Sequence, residues 1–220
     1  MTPRGTHRLI LAAGLALAAT GCGVVEQIQQ LKAFSRCEFR LASVQDTALA
    51  GFAIQGKTSL KDFSPLDAFK VQAALRRKEL PLAFTLNVEA KNPNDQPAAM
   101  NKLAWILLVD GTELTSGLLD RRVEVGANGG VSTVPLTVAV DLRQVLSGKA
   151  LDSMLTLAFN VAGLGAHPTR ITLQAKPTVL VAGQPVEYPG YLSVSTEFGG
   201  NPAASSNGDA VAGRLEALLR

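Results

Sequence analysis

The sequence predicts an all-β fold with minor helices, an antiparallel β-sandwich, on three observations. Apolar and polar residues alternate at five separate segments. Turn signals punctuate those segments, and the helical stretches do not build a regular strand–helix–strand alternation. A hydrophobic share of 47% against 18% charged supplies a packed core and argues against disorder of the whole chain.

The first element in order is a leader. Arg4 and Arg8 make a positive n-region, Leu9 to Ala19 an apolar run, and Ala19-Thr20-Gly21-Cys22 closes it with small residues before a cysteine. An apolar run of about 11 residues falls short of the roughly 20 that a bilayer-spanning helix needs. The pattern resembles a lipobox, although that motif favours Leu where Ala19 stands. Residues 1–21 are therefore expected to be a cleaved lipoprotein signal and Cys22 to carry the lipid. Acyl chains bind a bilayer at ~0.8 kcal/mol per buried methylene, and two or more hold firmly. Gly23 follows, not the Asp associated with inner-membrane retention, so the expected place is the cell envelope, lipid-anchored on the periplasmic face of the outer membrane. Losing Arg4 and Arg8 with the leader leaves 19 basic residues against 18 acidic. A near-neutral chain with 5% aromatic residues does not point to nucleic acid.

Residues 22–36 read as a lipid-anchored tether, with Val25, Ile28 and Leu31 loosely at helical spacing. If Cys22 is acylated, Cys37 has no disulfide partner. Its alternation with Phe39 and Leu41 makes it a buried strand residue acting as a small hydrophobe.

From Cys37 the period becomes two. In the segment Leu82 to Ala90, Leu82, Phe84, Leu86, Val88 and Ala90 share one face, and Thr85, Asn87 and Glu89 share the other. Lys102 to Val109 and Thr112 to Leu118 flank Asp110-Gly111, a pair suited to a two-residue hairpin because both turn residues take positive φ. Further strands are expected at Arg122 to Val125, Val131 to Asp141, Arg170 to Lys176 and Tyr191 to Phe198, with Gly126 to Gly130 as the turn between the first two. Ser64-Pro65 and Asp67 mark the start of a helix that runs to the cations Arg76, Arg77 and Lys78. A second helix covers Leu151 to Val161, with Leu151, Met154, Leu155, Ala158 and Phe159 on one side. Residues 199–220 read as a flexible linker and a short C-terminal helix.

The chemistry on offer is thin. His167, in the turn-like Gly165-Ala166-His167-Pro168, is the one histidine left after the leader. No G-x-S-x-G elbow, metal-spaced cluster or phosphate-cradling loop occurs, so the chain is expected to be no enzyme and to need no cofactor.

One stretch resembles a known family. A strand ending in Asn92-Pro93-Asn94, then Leu103 and Trp105, then Asp110-Gly111, then Thr115-Ser116-Gly117 is similar to the late-embryogenesis-abundant (LEA) type 2 family, also called the water-stress and hypersensitive-response domain. The resemblance runs over residues 37–198. It implies an immunoglobulin/fibronectin-III-like antiparallel β-sandwich and a non-enzymatic, stress-protective or interaction role. The Asn-Pro-Asn is read as structure, since Pro93 ends the ladder and the asparagines bond back to the backbone.

Two functions follow as expectations: a non-catalytic membrane-anchored envelope lipoprotein, or a lipid-binding or lipid-transfer protein. The partners expected are a membrane, through N-terminal acyl chains, and a lipid ligand or an envelope protein. The lipid reading starts from Leu103 to Val109, where Ala104, Ile106 and Leu108 make the second face apolar too, which a half-wet strand should not show. A helix of the chain itself, a partner or an acyl chain must then cover it. An acyl cavity would be lined by Phe84, Leu86, Trp105, Leu107, Met154 and Phe159 and would need ~300 Å³.

Overall fold

The structure is a computed structural model and describes residues 23–57, 62–164 and 168–198. Cys22, His167 and the tail 199–220 lie outside the described residues.

Among the described residues, eleven strands run β1 (Glu38–Leu49), β2 (Phe52–Ala53), β3 (Pro81–Asn92), β4 (Ala98–Met100), β5 (Lys102–Val109), β6 (Thr112–Leu119), β7 (Val123–Val125), β8 (Gly130–Asp141), β9 (Thr169–Val181), β10 (Gln184–Glu187) and β11 (Leu192–Phe198). The helices are α1 (residues 23–35), α2 (Pro65–Arg76), α3 (Leu142–Val145) and α4 (Leu151–Val161). One sheet has the order β2-β1-β3-β8. The other runs β10-β9-β5-β6 with β11 also on β9, and β4 and β7 make a small ladder of their own. Every ladder is antiparallel.

Register turns the period of two into rows. Across β3 and β8, Leu82 faces Val140, Phe84 faces Val138, Leu86 faces Leu136 and Val88 faces Val134. Val44 and Leu49 of β1 extend two of those rows, opposite Leu86 and Leu82. In the second sheet, Trp105, Leu107 and Val109 face Ala175, Leu173 and Ile171 of β9. Both sets of rows belong to one hydrophobic core. The Asp110-Gly111 hairpin forms as expected, with φ of 48° and 80°.

The helices close the ends. Ser64 Oγ accepts from Asp67 N–H at 3.2 Å, and the Asp67 carboxylate accepts from Ser64 N–H at 2.9 Å, a reciprocal cap that fixes where α2 begins. Phe159 of α4 meets Phe63 edge-on at 5.8 Å, and Phe63 meets Phe52 at 6.2 Å. This aromatic stack seals the end of the core beside β2.

Two expectations are corrected. The stretch 22–36 is more than a tether where it is described: residues 23–35 are helical, and Leu31, Ala33 and Phe34 are buried in the core while Val25 and Ile28 are exposed. The second face of β5 is not covered by α4, whose Met154, Leu155, Ala158 and Phe159 enter the main core. Ala104 is exposed, and Ile106 and Leu108 are half-buried. Their ladder neighbours Gln174, Thr172, Ser116 and Glu113 flank them with long or polar side chains, so the strand is shielded from the sides instead of roofed.

Candidate functional site

All six residues named as lining an acyl cavity are buried: Leu86 and Leu107 have no exposure, Phe159 1%, Phe84 2%, Met154 5% and Trp105 7%. They share the core, and none of them lines the apolar gap between β1 and β11. The sheet geometry explains this for Trp105. Gly117 stands directly across the ladder, and a Cβ there would lie 2.7 Å from Trp105 Cε2 and closer still to Cζ2. The indole occupies the space a side chain at 117 would fill.

An opening exists elsewhere, at the seam between the sheets. β1 and β11 pass side by side, and among the described strands no ladder joins them. The gap is walled by Phe34 of α1, Phe39 of β1, Val88 of β3, Leu173 of β9, and Leu192 and Val194 of β11; Ser193 is its one polar lining residue. Phe34 and Phe39 pack at 5.3 Å with their planes tilted by 53°, which forms one wall. The cavity measures ≈ 40 Å³. That is near the ~30 Å³ share of one water and far below the ~300 Å³ of a ligand pocket. With apolar walls and one hydroxyl, it can offer contact to a methyl or methylene group and no acid–base chemistry. Sequence reasoning misses these walls because they come from elements remote in the chain. The signal that could find the β11 wall is the alternation of Leu192 and Val194 with Ser193 and Ser195.

Next to the seam lies a knot of polar groups. Asn92 has no exposure, and its amide is saturated. Nδ2 donates to Gln96 O at 2.9 Å and Val125 O at 3.2 Å. Oδ1 accepts from Asn94 N at 3.1 Å and from Asn94 Nδ2 at 2.6 Å. Asn94 Nδ2 also donates to Ala33 O at 3.0 Å, which fastens the end of α1. The 126–130 turn completes the knot: Gly129 N donates to Asn92 O at 2.7 Å and Asn128 N to Asn94 O at 2.8 Å. The turn must be lean, since a Cβ on Gly130 would come within 2.8 Å of the Gly126 Cα. Every polar atom of the Asn92 side chain is thus engaged, and together with Asn94 and their two carbonyls it holds β3, β7, α1 and the turn together.

Cys37 sits where α1 meets β1. It is buried, its thiol donates to Ala33 O at 3.5 Å, and burial pushes it up to about 11. At neutral pH it is a protonated, apolar-behaving group. At the far end, burial alone would raise Asp67, but the Ser64 backbone N–H and the Lys57 ammonium at 3.4 Å outweigh it and hold the carboxyl below its usual value.

No protein-family model matches the chain, and no curated protein matches it. Solved structures do match. A crystal structure of a protein from Archaeoglobus fulgidus is 12% identical with a TM-score of 0.32, over 72% of this chain and 96% of that one. A protein of Arabidopsis thaliana solved in solution is 17% identical with a TM-score of 0.35, over 54% and 70%. A solution structure described as a late-embryogenesis-abundant protein is 11% identical with a TM-score of 0.36, over 86% of both chains.

Proposed function

We propose that the chain is a non-catalytic, membrane-anchored envelope lipoprotein of LEA type 2 character, whose immunoglobulin/fibronectin-III-like sandwich serves an interaction or stress-protective role. The anchor is Cys22, on the periplasmic face of the outer membrane, and the module works without cofactor or nucleic acid. The observation that carries this reading is the junction between anchor and domain. α1 is helical from Gly23, the first described residue, and ends buried at Leu31, Ala33 and Phe34, pinned by the Asn94 amide. Helical rise of 1.5 Å per residue makes it about 20 Å long, so acyl chains on Cys22 would keep the domain within about 20 Å of a bilayer. The family motif fits the same role. Its asparagines, its tryptophan and its glycine serve the knot and the Trp105 seat, which is the work of a scaffold.

The test is mass spectrometry of the chain from native membranes together with fractionation of Cys22→Ser. The expected results are an acyl mass increment on the mature N-terminus and release of the mutant to the soluble fraction. A mutant held as tightly as wild type would place the anchor elsewhere.

The lipid-binding reading is favoured by one feature, the apolar seam. An acyl chain would require β11 to part from β1, which breaks no ladder. Lipid extraction of the purified chain tests it. Extracts free of lipid, with no uptake of a fluorescent fatty acid, would remove it.

A further inference from the structure

Two large apolar side chains of α2 face outward, where a helix packed on a core is usually polar. Val71 and Ala74 have no exposure and face the core. Yet Leu66 and Phe69 are each 59% exposed, and with Ala73 they recur at three- and four-residue spacing along another stripe. Cations frame that stripe. Lys70 lies beside it, and Arg76, Arg77 and Lys78 crowd the C-terminal end, all three exposed. Between Pro65 and Glu79 these four cations stand against two carboxylates. Asp67 is turned to Lys57 and Ser64, and Glu79 lies 3.3 Å from Arg77.

A single exposed Leu or Phe is ordinary on a protein surface. Two of them one turn apart, edged by unbalanced positive charge, have the form of a helix that lies in a bilayer interface: apolar side chains enter the acyl boundary while cations reach anionic headgroups. We propose that α2 docks on the anionic phospholipid surface of the same bilayer that carries the N-terminal anchor. The proposal takes the anchored reading as its starting point.

Topology sets the pose. α1 enters the first sheet where Glu38 pairs with Lys91, and α2 connects at the other end of that ladder, where Leu49 pairs with Leu82. The 12 residues of β1, at about 3.3 Å each, separate the two attachments by roughly 40 Å. With both engaged, the domain lies lengthwise along the membrane. Tethering makes the second contact intramolecular, at an effective concentration of order millimolar, so two apolar side chains and a few cations suffice. An opposing bilayer offers no such advantage.

The test uses the full mature chain with Phe69→Trp, reconstituted in vesicles of phosphatidylcholine alone or with phosphatidylglycerol, each also made with brominated acyl chains. Trp105 is buried and supplies a constant background. In anionic vesicles the emission of the indole introduced on α2 should move to the blue and be quenched by bromolipid. In neutral vesicles it should stay as in water. Arg76→Glu with Arg77→Glu should weaken docking at least twentyfold, from about fivefold per lost cation.

A chain that floats with anionic vesicles but keeps a water-exposed, unquenched indole on α2 refutes docking and leaves the anchor standing. Equal quenching in neutral vesicles refutes headgroup recognition. Clustering of vesicles without quenching by the chain's own bilayer refutes the shared-membrane pose. If the chain does not float through its N-terminus, the anchored reading fails separately. The same emission from the Phe69→Trp chain then decides docking, quenching supporting it and its absence ending it.

Discussion

Replacing Gly117 by Ala isolates one packing contact. Gly117 carries no positive φ, so its backbone would accept Ala, and by chain entropy alone the change should stabilise a strand by about 0.5–1 kcal/mol. The ring of Trp105 opposes this. The new methyl would fall within 3.0 Å of three indole atoms, and the indole, 7% exposed, is held by the core. Forcing a methyl into a packed site costs about 1–3 kcal/mol, which leaves a net change from about zero to a loss of roughly 2.5 kcal/mol. Trp105 is the one tryptophan in the chain, so its emission reports the displaced ring directly. Urea unfolding followed by far-UV circular dichroism gives the stability. The decisive variant is the pair with Trp105→Phe. A phenyl ring leaves space at 117, so in that background Gly117→Ala should become neutral or stabilising, a coupling of about 1–3 kcal/mol. If the single Ala variant matches wild type in midpoint and emission, or if the two changes add, the close approach is not what requires glycine there.

Asn92→Ala should cost about 2–4 kcal/mol, because it strands the buried carbonyl of Val125, removes the bond to Gln96 O and frees Asn94. Equilibrium unfolding would show a loss under about 1 kcal/mol if the knot were incidental. Asp67→Asn should lose about 1 kcal/mol at neutral pH. Because the folded carboxyl sits below its usual value, its contribution is present above an unfolded pKa of about 3.9 and fades as pH falls through the folded value. The wild-type and Asn curves should therefore converge below about pH 4, and curves still parallel there would remove Asp67 as the source. Cys37, with its thiol raised to about 11, should resist maleimide at neutral pH in the native chain and react at once in denaturant; rapid native labelling would mean the α1–β1 junction opens.

Much of the fold is legible in the sequence because the signals are local. The bounds of β5 and α4, the Asp110-Gly111 turn and the Ser64 cap follow from period, turn chemistry and capping, all decided within a few residues. What escapes is decided across the chain. β10 is exposed at all four positions and has no periodicity to read. β7 is expected and is there, but its partner is β4, three residues with no alternation because all are buried. α1 carries Val25, Ile28, Leu31 and Phe34 at three-residue spacing, but only its last turns dock, so the spacing alone does not announce the place of Phe34 beside Phe39. Apolar character groups the six residues Phe84, Leu86, Trp105, Leu107, Met154 and Phe159, and all six are core residues. The seam depends on which edge strands meet.

The Asn94 bond to the last turn of α1 also bears on how the domain would meet mechanical load. A pull on α1 enters the first sheet at Glu38 and, through Asn94, at the end of β3 as well. The two strands are antiparallel neighbours that meet at this end, so a load entering both pulls them the same way and does not prise the Glu38–Lys91 rung apart first. The Asn94 bond thus guards the open end of the β1–β3 ladder against peeling that starts from α1.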